Sequence, residues 1–584
     1  MHFMSYTYQC LYVDLSKGSI EKKDSDRSLL ENYIGGKGLG FAILEKLAPK
    51  VNAFSAENPV IFANGPFTGT NIQTSARTTL VTKSPLTNSM LDSHCGGNFG
   101  PMLKAAGFDY VVITGKSEKP VYLYITDKVL EIRDAEDLWG KGIFATTDEL
   151  MKRHAGINPR VAAIGPAGEN LSKMACIGVD KHRQYGRGGA GAVMGFKNLK
   201  ALVVDGSTPI KYFNEEVFLE LNKKFTKDIL VQDGIKFRRK NGTMKCMNSG
   251  QANEFLPVKN FKEVVFDDIE KINSAAAREE LNWKDTSCFN CDIRCSKWAR
   301  WDGHEVEGPE YETTAFMGSG SMVNSIKDVT WANEICNDLG LDTISTGITC
   351  SFAMECYEKN LIDDWDGLKM EWGNAEEQRK FISKLAARDG IGNLFADGTR
   401  DAAAKIKKGS SSFAINTYGM EISGVNPKGC LTMGVAMAVA DFASHTRAWI
   451  TEQEMGPEFK IEDIPVTIAE GLDTTNVRNC LVICDFVPMS LERLSELLNA
   501  ATGSNHTSES LQKIGSNLTH LARKYNVRNG RSYKDDTIPD RFFDEINLGG
   551  FMKGKKLDRT FFNSLIADYY QIRGWNKYGL PKYF

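Results

Sequence analysis

Cys288, Cys291 and Cys295 form a C-x2-C-x3-C run in the stretch Thr286–Cys295, and no other feature constrains the tertiary structure as much. Thiolates at that spacing converge on one soft metal centre when the chain turns tightly between them, but an iron–sulfur cube takes four ligands. The fourth has to arrive from elsewhere, and Cys484, in Leu481-Val482-Ile483-Cys484-Asp485-Phe486, is the candidate. Any fold must then bring two segments far apart in sequence to one point. C-x2-C is also half of a structural zinc site. Zinc sites draw their ligands as two pairs, however, and the chain has no second C-x2-C or H-x3-H pair. The spacing favours iron–sulfur over zinc.

The hydrophobic periodicity changes along the chain. Up to about residue 205, short β-branched and aromatic runs recur: Tyr8–Val13, Pro59–Ala63, Thr78–Thr82, Tyr110–Thr114, Val121–Ile125, Val129–Ile132, Val161–Ile164 and Ala201–Val204. Turn residues bound most of them, as in Ala63-Asn64-Gly65-Pro66, so they read as strands. From about residue 209 the period becomes helical. Leu491, Leu494, Leu497 and Leu498 share one face, as do Leu511, Ile514, Leu518 and Leu521, and both stripes read as core. The serine run Ser410-Ser411-Ser412 suggests a boundary inside the helical part. The expected architecture is α+β: a β-rich domain over residues 1–208, a helical domain over 209–412 carrying the three-cysteine run, and a helical domain over 413–584 carrying Cys484.

Three glycine-rich segments lie in the β-rich part: Gly35–Gly40, Cys95–Gly100 and Gly186–Gly195. Glycine lets backbone N–H groups close on an anion and tolerates positive φ. The third contains G-x-G-x-x-G, but no clear strand is read immediately before it and no acidic residue follows in the ribose-binding context. Arg187 in that loop and Arg77 in Thr74-Ser75-Ala76-Arg77 favour a phosphate-bearing ligand over pure packing, because a guanidinium fork matches phosphate oxygens.

Taken in order, these segments resemble the tungsten-pterin aldehyde:ferredoxin oxidoreductase family almost end to end. The matching stretches include Val13-Asp14-Leu15-Ser16, Gly65-Pro66-Phe67-Thr68-Gly69-Thr70, Thr82-Lys83-Ser84-Pro85-Leu86-Thr87, Ala163–Asn170, and Gly188–Gly195 with Asn198-Leu199-Lys200-Ala201. Further on come the cysteine run, Glu307-Gly308-Pro309-Glu310-Tyr311-Glu312, Leu339–Gly347 and the closing Ile572-Arg573-Gly574-Trp575. The resemblance implies a β-rich first domain that seats a bis-pterin carrying tungsten (or molybdenum), with two helical domains covering it. It implies a 4Fe-4S cluster on Cys288, Cys291, Cys295 and Cys484. Pterin contacts fall on Arg77, His94, Gly96, Arg187, Gly188, Ala190, Asn337, Leu341, Asp342, Arg447, Asn479 and Ile483, with Mg2+ bridging the pterin phosphates. His94 stands where the family pattern has Asn, and Asn479 where it has Asp. The second departure removes the charge from one pterin-amine contact.

The resemblance also singles out Glu312 as the carboxylate that takes a proton from an attacking water, and His445 as the imidazole that hydrogen-bonds the substrate oxygen. The implied reaction is oxidation of an aldehyde to a carboxylic acid, reversible in principle, with electrons passing to ferredoxin or a small iron–sulfur electron-transfer subunit. A 2-hydroxycarboxylate oxidoreductase or a benzoyl-CoA reductase-type subunit is the alternative on the same scaffold. A self-dimer would not be bridged by metal as in the archetype, because the matching stretch is Trp331-Ala332-Asn333-Glu334 and lacks the Glu and His three residues apart.

The totals agree. With 71 basic against 74 acidic residues, a net charge of −3 gives no electrostatic case for nucleic acid. The longest apolar stretch, around Gly434–Ala440, is far shorter than a membrane span. Met1–Asp14 has no basic segment followed by an apolar one, so no secretory signal is expected. Thirteen cysteines, an odd count, suit reduced thiols and metal ligands in the cytoplasm better than a disulfide framework.

Overall fold

A computed structural model describes residues 4–547, 549–550 and 553–582. Twelve strands build two six-stranded mixed sheets in the first 204 residues. They are β1 (Gln9–Asp14), β2 (Ser19–Asp24), β3 (Val60–Ala63), β4 (Thr78–Lys83), β5 (Met90–Cys95), β6 (Tyr110–Thr114), β7 (Val121–Ile125), β8 (Leu130–Asp134), β9 (Arg160–Ala163), β10 (Ile177–Val179), β11 (Arg183–Tyr185) and β12 (Leu199–Val204). The first sheet runs β2-β1-β6-β3-β4-β5 and the second β11-β10-β9-β12-β7-β8. Each has one parallel pair, β1/β6 and β12/β7, and is otherwise antiparallel. Burial follows sequence: Leu199–Val204, apolar apart from Lys200, is wholly buried, whereas β2, Ser-Ile-Glu-Lys-Lys-Asp, forms a charged edge that deters further pairing.

The eight strands expected from sequence all form, and four more join them. Of these, β2, β10 and β11 are short or charged, and β5 carries Asp92, Ser93 and His94 within its six residues. The strand β11 corrects one expectation, because it ends at Tyr185, directly before Gly186. It is nonetheless the outer arm of an antiparallel hairpin with β10, so the glycine loop does not close a parallel dinucleotide-binding unit.

Helices dominate after residue 208, with two exceptions the periodicity does not reveal. Asn416–Thr417 and Met420–Glu421 pair antiparallel as a short hairpin. Lys284–Thr286, Ser296–Trp301 and His304–Glu307 pair antiparallel as β13, β14 and β15, and the three cysteines occupy the connection between β13 and β14. Both leucine stripes face inward. Leu494, Leu497, Leu498, Leu511 and Leu518 are buried in one core with Leu39, Phe41 and Ile43 of the helix Gly36–Leu47 and with Ile61 and Val81 of the first sheet. That core seats the helix Ile464–Leu481 against the first sheet, and Cys484 follows three residues after the helix ends. A further core gathers the helices Ile326–Leu339, Thr343–Glu358 and Ala375–Ala387.

Candidate active site

The fourth cysteine is delivered by a helix terminus. The helix Ile464–Leu481 stops at Val482 in the left-handed region, φ +59°, with its N–H on the Arg478 carbonyl. A β-branched residue is an outlier there. Gly65 makes room for this turn, since a Cβ on it would lie 2.5 Å from the Leu481 carbonyl oxygen and 2.7 Å from Val482 Cγ2. The Cys484 N–H then donates to Thr74 O at 3.3 Å. On the other side, the Asp292 N–H donates to Gln73 Oε1 at 2.7 Å and the Phe289 N–H to Gly97 O at 3.0 Å. A Cβ on Gly96 would lie 2.8 Å from Cys288 Sγ, so this loop of the first sheet must be glycine for the cysteine run to approach.

The four thiols share one electrostatic environment. Burial disfavours the charge on Arg77, but Cys484, Asp485, Cys288 and Cys295 together hold its pKa above the usual range. Arg183 behaves the same way, opposed by burial and sustained by Glu307, Cys288 and Cys295; its ion pair with Glu307 is 2.5 Å long. Burial pushes the thiol of Cys295 up to about 12 and raises those of Cys291 and Cys484. Thiols held protonated in this way release protons when they bind metal, and two guanidinium groups beside them favour an anionic centre. Arg183 carries no signal in the sequence, since it lies outside every recognised motif.

The Arg187 guanidinium is held by protein groups. Its guanidinium donates to Asp342 Oδ2 at 3.1 Å, to Ala443 O at 3.2 Å, to the hydroxyls of Ser423 and Ser345 at 3.4 Å, and to Glu421 O. All three of its nitrogens are engaged by protein groups, so the case for an anion at this loop rests on backbone, where Gly188 and Gly189 hold φ of +87° and +82° before the helix Ala190–Phe196. Asp342 also caps the helix Thr343–Glu358 through the Ile344 and Ser345 N–H groups, directly after Gly340 ends the preceding helix in the left-handed region. Leu341 bridges to Ala175 of the β-rich region, and Asn337 accepts from Gln184 at 2.8 Å. The structure therefore joins Arg187, Asn337, Leu341 and Asp342 in one group.

His94 and Arg447 meet on a carboxylate that the sequence did not single out. Asp92 is fully buried, takes both Arg447 terminal nitrogens at 2.7 Å, and lies 2.7 Å from His94 Nε2. Lys37 and Asp441 complete the set, at 2.5 Å from each other. Burial would raise the Asp92 pKa, but Arg447, Lys37 and His94 hold it far below the usual carboxylate range. The strand register carries a usable signal: Asp92 and His94 are two residues apart, so they project from the same face of β5. Asn479 ends buried with its side-chain nitrogen unpaired, and Ile483, past the end of the same helix, is buried as well.

Glu312 and His445 come together. Glu312 lies in the first turn of the helix Tyr311–Met317 and its Oε2 accepts the Gly424 N–H at 2.8 Å. Its Oε1 is buried and without a hydrogen-bond donor, because His445 Nδ1, 3.1 Å away, is off the bonding direction. The His445 N–H donates to Ser423 Oγ at 2.8 Å, and the same oxygen lies 3.0 Å from Nδ1. Nδ1 thus faces both Ser423 Oγ and the Glu312 carboxylate, and Nε2 is the ring nitrogen directed away from them. Tyr311 Oη donates to Gly424 O at 2.5 Å and Trp449 lies edge-on to His445, fixing the loop around the pair. Ser423 and Gly424 were legible only as a turn, Ile422-Ser423-Gly424-Val425-Asn426-Pro427.

Residues 10–206 match the family described as aldehyde ferredoxin oxidoreductase, N-terminal domain, and residues 220–583 match the same family's domains 2 and 3. The chain belongs to the aldehyde ferredoxin oxidoreductase family. Within it, the chain is 35% identical to the tungsten-containing aldehyde ferredoxin oxidoreductase of Pyrococcus furiosus, across 98% of this chain and 96% of that one. It is 29% identical to the aliphatic sulfonate oxidoreductase, WOR-like subunit, of the same organism, across 99% and 96%. Among solved structures it resembles the active-site complex BamBC of benzoyl coenzyme A reductase bound to 1,5-dienoyl-CoA, with a TM-score of 0.86, 26% identity, and coverage of 99% and 96%. The β-rich first region and the helical remainder are those of this family's oxidoreductases. Among the described residues no helix is long and apolar enough to cross a membrane.

Proposed function

We propose that this chain oxidises an aldehyde to a carboxylic acid, taking the oxygen from water. The observation that carries the reading is the Glu312–His445 pair, with one carboxylate oxygen held by Gly424 and the other buried without a donor. Aldehyde plus water gives carboxylate, three protons and two electrons. Glu312 Oε1 accepts a proton from the attacking water. His445, oriented by Ser423, donates from Nε2 to the aldehyde oxygen and withdraws charge from its carbon. Trp449 and Tyr311 pack around the pair and limit water to what the reaction consumes.

A tungsten (or molybdenum) bis-pterin, when bound, supplies the two-electron acceptor, and a 4Fe-4S cluster supplies single-electron relay. Cys288, Cys291, Cys295 and Cys484 would hold the cluster, and the two flanking guanidinium groups of Arg77 and Arg183 support an anionic centre there. Arg77, His94, Gly96, Arg187, Gly188, Ala190, Asn337, Leu341, Asp342, Arg447, Asn479 and Ile483 would hold the pterins and their Mg2+. The unpaired Asn479 nitrogen and the left-handed glycines at 188 and 189 support this assignment. Ferredoxin, or a small iron–sulfur subunit, takes the electrons in the cytoplasm.

The test is anaerobic purification followed by metal counting and a viologen-reduction assay across aldehydes, 2-hydroxy acids and aryl-CoA thioesters. About four irons and one tungsten or molybdenum per chain, with turnover on aldehydes, is the expected result. Zinc alone, or turnover only on hydroxy acids or thioesters, would sink the reading.

A further inference from the structure

The helix Asp233–Asn241 touches both cysteine segments. The Arg238 guanidinium stacks over the Phe486 ring at 4.0 Å, two residues beyond Cys484. Arg239 donates to Asp292 O at 2.5 Å, next to Cys291. Lys297 ties the far end, donating to Arg239 O at 2.8 Å, Arg294 O at 2.9 Å and Cys295 O at 3.2 Å. This helix therefore roofs the thiols on their solvent side, and Cys288, Cys291 and Cys295 are themselves partly exposed.

The roof is basic on a chain whose net charge is −3. Lys236, Arg238, Arg239 and Lys240 fall within nine residues of the helix, and exposed Arg294 stands beside them on the cysteine loop. Cations in a helix's last turn complement its macrodipole, and that accounts for Arg239 and Lys240. It does not account for Lys236, one turn earlier, or for Arg294, on another element. The acidic side chains paired with these cations are Asp233, 3.1 Å from Lys236, and Asp292, 3.7 Å from Arg294, in pairs too exposed to bind their cations firmly, while the neighbouring Asp285 and Asp485 are paired with Lys297 and Arg77. Between the charges Phe237 and Phe289 are 55% and 37% exposed, the aromatic anchors that protein interfaces favour.

We propose that this face, Lys236–Lys240 together with Phe289 and Arg294, is the docking surface of a small, acidic, freely diffusing iron–sulfur carrier. The inference deepens the proposed function by naming the chemistry of the electron acceptor, and it rests on that reading only for the direction of electron flow. Complementary charge steers encounter and is screened by salt, which suits a carrier that must leave after one electron. The exposed phenylalanines supply a small contact close to the cysteines.

The experiment compares the intact protein with the variant K236E/K240E, using a purified bacterial ferredoxin of strongly acidic composition as the probe. Neither residue belongs to the proposed catalytic or cofactor machinery. Binding of the probe is measured directly by biolayer interferometry at low and high salt, and aldehyde-dependent viologen reduction is measured in parallel. The expected result is binding that weakens about tenfold or more in the variant, and likewise with added salt in the parent, while viologen turnover stays within about twofold of the parent. Unchanged affinity in the variant, absence of binding by the parent at low salt, or a one-to-one complex that persists at about 0.5 M salt would each overturn the proposal. The last of these would identify a permanent subunit instead. Viologen turnover that fails on every aldehyde, with probe binding still lost in the variant, would remove the substrate reading and leave the docking surface standing.

Discussion

Glu312 illustrates how a single carboxylate acquires a role from its two oxygens. Gly424 fixes one by a backbone hydrogen bond and burial withholds partners from the other. Glu312→Gln keeps the shape and the Gly424 contact but removes the proton acceptor. Iron and tungsten content is expected to stay at the parent level while turnover falls roughly 10²–10⁴-fold. Near-parent turnover in this variant would move the proton to another group. The cysteines offer a second contrast at this scale. Cys480 is fully buried in an apolar core, its Sγ packed where a Cβ on Gly38 would come within 3.0 Å, and burial pushes its thiol up to about 12. It behaves as a small hydrophobe. Cys484→Ala is therefore expected to lose bound iron and Cys480→Ala to retain it; the reverse pattern, read by iron analysis, would reassign the ligand.

At the level of elements, the Leu339-Gly340-Leu341-Asp342 turn both ends one helix and starts the next, and Asp342 has two tasks there. Asp342→Asn preserves the cap on Ile344 and Ser345 but removes the charge opposite Arg187, whereas Asp342→Ala loses both. A lost cap costs about 1 kcal/mol, and a buried guanidinium deprived of its carboxylate costs about 3–5 kcal/mol. Both variants are expected to lower Tm, with Ala below Asn; an Asn variant that melts with the parent would show that the Arg187 pair contributes little. The loop after β5 makes a sharper demand. Gly96→Ala would set a methyl 2.8 Å from Cys288 Sγ, so iron occupancy is expected to fall while far-UV circular dichroism stays unchanged. Full iron occupancy would show that the cysteine loop can retreat.

For the molecule as a whole, the surface around Trp331 bears on assembly. Glu334 is engaged by His304 of the same chain, Nδ1 to Oε2 at 3.0 Å, and the Trp331 ring lies 5.0 Å from that imidazole with Arg379 over its other side at 4.6 Å. Any homodimer is therefore expected to be held by contacts other than a bridging ion. Treatment with chelator, followed by native mass measurement, should leave the oligomer's mass unchanged. Dissociation with the iron–sulfur absorbance intact would contradict this.

Sequence alone determined what local pattern can encode. The eight apolar strands, the leucine stripes and the three-cysteine run are written in periodicities of two and 3.6 and in thiol spacing, and each occupies its expected element. The ordered motifs identified the family, because their order is itself sequence information. Several features fell outside that reach. β5 and β13–β15 mix polar with apolar residues, and pairing with neighbours is what makes them strands. Arg187 found Asp342 across 155 residues of chain, Asp92 became a hub only where Lys37, His94 and Arg447 converge on it, and Ser423 acquired its place beside His445 from a loop 22 residues away. Such contacts join residues distant along the chain. Tertiary packing decided them, because burial leaves a charge or a lone pair no water and obliges it to find its partner within the protein.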